Sequence, residues 1–116
     1  MLKGIHHVSI NVQDVDAALK FYVDVLGMER LPRPDLGFPG AWLKSANQEV
    51  HLLGKESTPP PREKHFAFAV DDLAAVTSTV QTAGFKCSDP AEITNVCLQS
   101  FTHDPSGNLI EFNQRL

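Results

Sequence analysis

The chain has 116 residues, 42% of them hydrophobic and 21% charged, the proportions of one soluble globular domain. Ten Lys and Arg against fourteen Asp and Glu give a net charge of -4, which argues against nucleic acid or an anionic membrane as the main partner. No apolar run reaches the roughly 18 residues that span a bilayer, the N-terminus lacks a secretion-signal core, and two cysteines make no disulfide framework. A reducing cytoplasm is the expected compartment.

The first predicted element is a strand opening at His7. Val8, Ile10 and Val12 share its apolar face, and His7, Ser9 and Asn11 share the other. Asp14 is placed to N-cap a helix that runs to about Leu26, with Gly27 just past its end. Leu19, Tyr22, Val23 and Leu26 form its apolar stripe. Extended runs follow at roughly 28–34, 41–46 and 49–54. Residues 55–64, with three consecutive prolines, read as a stiff linker. At polyproline rise it spans about 30 Å.

The pattern then repeats. A second strand opens at His65, with Phe66, Phe68 and Val70 opposite His65, Ala67 and Ala69. Asp71 or Asp72 caps the next helix, which presents Leu73, Val76 and Val80 and stops at Gly84. Runs at roughly 85–88, 95–103 and 108–113 complete the chain, and Asp104-Pro105-Ser106-Gly107 predicts a type I turn between the last two. At an offset of 58, His7 falls on His65, Val12 on Val70, Asp14 on Asp72 and Ala17 on Ala75. A single domain over 1–116 is thus expected to hold two strand–helix–three-strand modules, 1–54 and 65–116.

The last strand of each module carries a second candidate ligand. In one, Glu49, His51 and Leu53 alternate with Val50 and Leu52. In the other, Leu109, Glu111 and Asn113 alternate with Ile110 and Phe112. If Ile110 and Phe112 pack on the helix, Glu111 lies on the side of the opening histidine. His51 and Glu111 follow their opening histidines by 44 and 46 residues. One strand histidine alone is more often a hydrogen-bonded structural residue. Four metal-competent side chains at matching places point instead to a metal site of His7, His65 and Glu111, with His51 as a possible fourth ligand. Imidazoles with one carboxylate suit Fe, Ni, Co, Mn or Zn, and leave coordination positions open for a substrate. His6 has the wrong parity, His103 lies at a turn, and Trp42, Phe38 and Met28 suit core or pocket wall. Cys97 reads as a buried strand residue with no catalytic partner.

IleHisHisValSer with AspVal, PheTyr and LeuGly downstream, HisPheAlaPheAlaValAspAspLeu, and AspProSerGlyAsnLeuIleGluPhe together resemble the vicinal oxygen chelate superfamily. This group includes glyoxalase I, methylmalonyl-CoA epimerase, extradiol dioxygenases, and fosfomycin- and bleomycin-resistance proteins. The resemblance covers nearly the whole chain. It implies an α+β fold of two βαβββ modules whose mixed sheets curl into a cup around one divalent metal. His7, His65 and Glu111 match the family's ligand positions, while His51 stands where glyoxalases carry glutamate and the epimerases glutamine. The leading expectation is a lyase or isomerase acting on a small oxygenated substrate through a metal-stabilised enediolate, with Glu111 or His51 moving the proton. The alternatives are an Fe(II) extradiol-type dioxygenase and an antibiotic-resistance protein. The resemblance also implies a homodimer in which two chains share each active site.

Overall fold

Local signals set most elements of the computed structural model, which describes residues 1–55 and 63–116. In β1 (His7–Val12), Val12 is fully buried, Val8 and Ile10 are half-buried, and the three alternate residues are exposed. Asp14 accepts a hydrogen bond from the Ala17 amide at 3.1 Å and so caps α1 (Val15–Leu19). The helix continues as a π-helix over Lys20–Val25, and Gly27 follows at φ +79°.

The buried face lies one residue from the predicted stripe, and the helix closes with a π turn. Leu26 N–H donates to Phe21 O at 3.0 Å, an i→i+5 bond that fits an extra residue into the turn. Ala18, Phe21 and Tyr22 are fully buried, at ordinary helical spacing. Leu19, Val23 and Leu26, expected on a 3.6-residue period, are only half-buried.

The first unit continues with β2 (Glu29–Leu31), β3 (Gly40–Ser45) and β4 (Gln48–Gly54). Its sheet runs β1-β4-β3-β2, with β4 parallel to β1 and antiparallel to β3. The second unit holds β5 (His65–Ala69), α2 (Leu73–Thr82), β6 (Ala91–Ile93), β7 (Cys97–His103) and β8 (Leu109–Arg115), in the sheet order β5-β8-β7-β6. Two βαβββ runs, each with a four-stranded mixed sheet, make the α+β fold. The compact units are Met1–Thr58 and Pro59–Leu116. Of the expected linker 55–64, residues 56–62 lie outside the described residues. Among the described residues, no helix is long and apolar enough to cross a membrane.

Of the two candidate caps of α2, Asp72 is the one used, accepting from the Ala75 amide at 3.1 Å. The helix buries Leu73, Thr77 and Val80, while Val76 is only half-buried. Thr77 is tolerated there because its hydroxyl meets the Ser100 hydroxyl at 3.2 Å. The extended run expected at 85–88 is reduced to a single bridge between Cys87 and Thr102. The first of the three strands after α2 is β6 instead. All three of its residues are exposed, so alternation had no buried face to mark.

The predicted turn before β8 closes with Gly107 N–H donating to Asp104 O at 3.0 Å. The Asp104 carboxylate is buried and accepts from the Ser106 amide at 2.9 Å and the Asn108 amide at 2.8 Å. It also accepts from Asn108 Nδ2 at 2.9 Å. Asp104→Ala would remove these three hydrogen bonds, two of them to a buried residue, and is expected to cost about 3 kcal/mol. Urea unfolding should then show a lower midpoint with an unchanged slope. A midpoint equal to that of the parent protein would refute this account of the turn.

Candidate metal centre

Strand register determines which candidate ligands meet. In the parallel pair β1–β4, His7 stands opposite Glu49 and Ser9 opposite His51. In β5–β8, His65 stands opposite Leu109 and Ala67 opposite Glu111. His51 and Glu111 thus occupy the same place, two residues past the partner of the opening histidine and on the same face.

Each unit brings two of the four together. The His7 and His51 rings stack with centroids 4.0 Å apart and planes 13° from parallel. His65 Nε2 lies 3.0 Å from Glu111 Oε1. Among the described residues, no group of three or more His, Cys, Asp or Glu side chains is arranged to hold a metal ion.

The His65–Glu111 contact has a specific electronic consequence. His65 Nδ1 lies 3.0 Å from the Glu63 carbonyl, which only accepts, so Nδ1 carries the proton of that hydrogen bond. In a neutral imidazole, Nε2 is then a bare lone pair facing a carboxylate oxygen. Two acceptors at that distance require a cation between them, either a proton or a metal. Donors about 2.1 Å from a divalent ion at right angles stand roughly 3 Å apart, so the pair suits two neighbouring ligands. Glu111 is buried, and Asn113 Nδ2 donates to its other oxygen at 2.8 Å. These outer partners, Glu63 and Asn113, orient the pair.

His51 is buried on the central strand of its sheet. It stacks on His7 and also on Trp42, whose ring centroid lies 4.6 Å away. Its Nε2 meets Glu49 Oε1 at 2.9 Å. That hydrogen bond holds the Glu49 carboxyl below its ordinary range, with help from the nearby histidines and against its partial desolvation. Glu49 was given no role from sequence. Its signal was its place two residues before His51 on the same face of β4.

His6 precedes β1, so the strand's alternation does not bind it. Though exposed, it places Nε2 3.8 Å from Glu49 Oε2 and Nδ1 2.9 Å from His7 Nδ1. His103 is exposed at the end of β7, and Cys87 and Cys97 are buried free thiols. Trp42 lines the His51 face as a wall residue.

Paired βαβββ units with a histidine opening each sheet are the architecture of one protein class. Residues 4–112 match the family model of the Glyoxalase/Bleomycin resistance protein/Dioxygenase superfamily, and the chain belongs to that superfamily. It is 31% identical to the Arabidopsis thaliana protein named "Glyoxylase I 4", over 95% of this chain and 70% of that one. A crystal structure of a glyoxalase family protein from Bacillus anthracis superposes with a TM-score of 0.89 at 27% identity, covering 100% of this chain and 98% of that one. TnmS3, an antibiotic binding protein from Streptomyces sp. CB03234, superposes at 0.84 with 26% identity, over 99% and 98% of the two chains.

Proposed function

We propose that the chain is a divalent-metal-dependent lyase or isomerase acting on a small oxygenated substrate, with His7, His51, His65 and Glu111 as the metal ligands. The observation that carries this reading is the His65–Glu111 pair. His65 Nε2 and Glu111 Oε1 stand 3.0 Å apart, the separation of two neighbouring ligands of one ion, and each is oriented by an outer partner. The metal, when bound, supplies Lewis acidity to adjacent oxygens of the substrate.

The chain's own residues supply the rest. Glu111 holds and returns the substrate proton, with one oxygen kept in place by Asn113. His51, steadied by Glu49 and by the Trp42 ring, is the second proton carrier. Each unit holds half of the ligand set, so the site is completed by a first unit and a second unit. We assign these to two chains of a homodimer. The buried, unbridged Cys87 and Cys97 suit a reducing cytoplasm.

A second reading is favoured by the likeness to TnmS3: a binding protein that captures an antibiotic without turnover. The column of Trp42, His51 and His7 rings would offer an aromatic ligand a row of ring edges for edge-to-face contact.

The test is elemental analysis of protein purified without chelators, followed by a screen of thiohemiacetals and α-oxo acids with the metal restored. About one divalent ion per chain and turnover of one substrate class are expected. His51→Glu should keep the metal, because a carboxylate suits the same ions, and should raise glyoxalase-like activity. A protein that takes up no stoichiometric metal would overturn the reading. Tight antibiotic binding with no turnover in any metal form would favour the second.

A further inference from the structure

Arg33 lies in the connection between β2 and β3, and its Nε and Nη2 atoms are buried without a hydrogen-bond partner. These two nitrogens form one edge of the guanidinium. Nη2 is trans to Cδ across the Cζ–Nε bond, so one of its N–H bonds points the same way as that of Nε. This edge pairs with a carboxylate through two parallel hydrogen bonds. Buried donors on a charged group are rarely left unmatched. Here the unmatched pair has the shape of a carboxylate receptor.

The surroundings add a second cation. Arg33 Cζ lies 4.9 Å from the centroid of the Phe38 ring, and Lys55 Nζ lies 4.6 Å from the same centroid. Among the described residues, neither Arg33 nor Lys55 forms an ion pair. Two cations held on one ring leave a local excess of positive charge that an anion would offset.

The position also matters. Leu31 pairs with Trp42 across β2 and β3, and continuing that alternation sets Arg33 opposite Gly40. A Cβ built on Gly40 would lie 2.9 Å from Arg33 Nη2 and 3.0 Å from Cζ. The guanidinium therefore sits beside Gly40, two residues along β3 from Trp42, whose ring stacks on His51. At strand rise that separation is about 7 Å.

We propose that Arg33, assisted by Lys55, is the specificity residue for a carboxylate on the substrate, which makes the substrate a short oxygenated carboxylic acid. Assigning the carboxylate to the substrate rests on the metal-dependent reading above. The oxyanion site itself does not. Arg33 as a whole is only half-buried, so a turn of its side chain brings the fork to an arriving carboxylate.

The test follows the Arg33 Nε–H resonance of the ¹⁵N-labelled full chain in physiological salt, in metal-loaded and chelator-stripped protein. Pyruvate should move that resonance saturably in both forms, whereas hydroxyacetone, its uncharged counterpart, should not. Arg33→Met should weaken pyruvate binding at least tenfold, Arg33→Lys less so, with metal content unchanged in both. An Arg33 signal indifferent to pyruvate would overturn the proposal, as would equal binding by Arg33→Met. A response to inorganic phosphate and not to pyruvate would overturn the carboxylate assignment. The wild-type titration stands even if a variant fails to fold. Metal content, measured on the same samples, registers a failure of the metal reading separately.

Discussion

His65→Ala and Glu111→Ala are each expected to bind the metal at least tenfold more weakly than the parent protein and to lose its activity. The reason lies in the pair's chemistry. Glu111 brings the one negative charge of the proposed set, and His65 Nε2 lies 3.0 Å from its Oε1. Removing either leaves the other facing no charge-matched neighbour. Asn113→Ala should do less, because it removes the hydrogen bond that orients Glu111 and not a ligand. Binding should weaken as pH falls, since protons compete with the metal for imidazole nitrogens and for the carboxylate. Equilibrium titration with a chromophoric competitor, alongside elemental analysis, gives the comparison. Equal metal content and affinity in the parent and both alanine variants would sink the site assignment. Folding can be followed separately, because the buried Ile110 and Phe112 flanking Glu111 are untouched by either change.

The second large effect is expected from mixing two inactive proteins. His7→Ala carries its lesion in the first unit, and Glu111→Ala carries its lesion in the second. If each site joins the first unit of one chain to the second unit of the other, the heterodimer collects both lesions in one site and leaves its other site intact. Random exchange then restores about one quarter of the sites, and metal binding and activity with them. If each site closes within one chain, every site keeps one lesion and nothing returns. The motivation is that each unit carries half of the ligand set on a small sheet, whose polar ligand face needs a covering partner. No recovery despite proven subunit exchange, for instance by mass spectrometry of differently labelled chains, would reject the shared site.

The alternation of β1 and β5, the aspartates that start each helix and the glycines that follow them were all legible in the sequence. Each depends on neighbours within a few residues, through side-chain parity or a single capping hydrogen bond. The same holds for the Asp104 turn. Family membership was legible for a related reason: its motifs are short local strings spaced by elements of steady length. The chemistry of the four candidate ligands could likewise be read as residue types on predictable faces.

Other features depended on distant parts of the chain. The first helix buries Ala18, Phe21 and Tyr22, one residue from the expected stripe, because packing and not local spacing selects between two adjacent helical faces. β6 lacked a buried face and was recruited by pairing with β7. Most consequential is strand register. Pairing β1 with β4 and β5 with β8 joined residues more than forty positions apart, and it determined that His7 meets His51 and His65 meets Glu111. Residue type and strand parity are local properties, so the candidate ligands and the face of the strand each occupies could be read without coordinates. Which of them touch, that Glu49 holds His51, and that the Arg33 fork is buried without a partner among the described residues came from the packing of distant elements. Hydrogen-bond satisfaction and register belong to contacts between elements, and no local pattern encodes them.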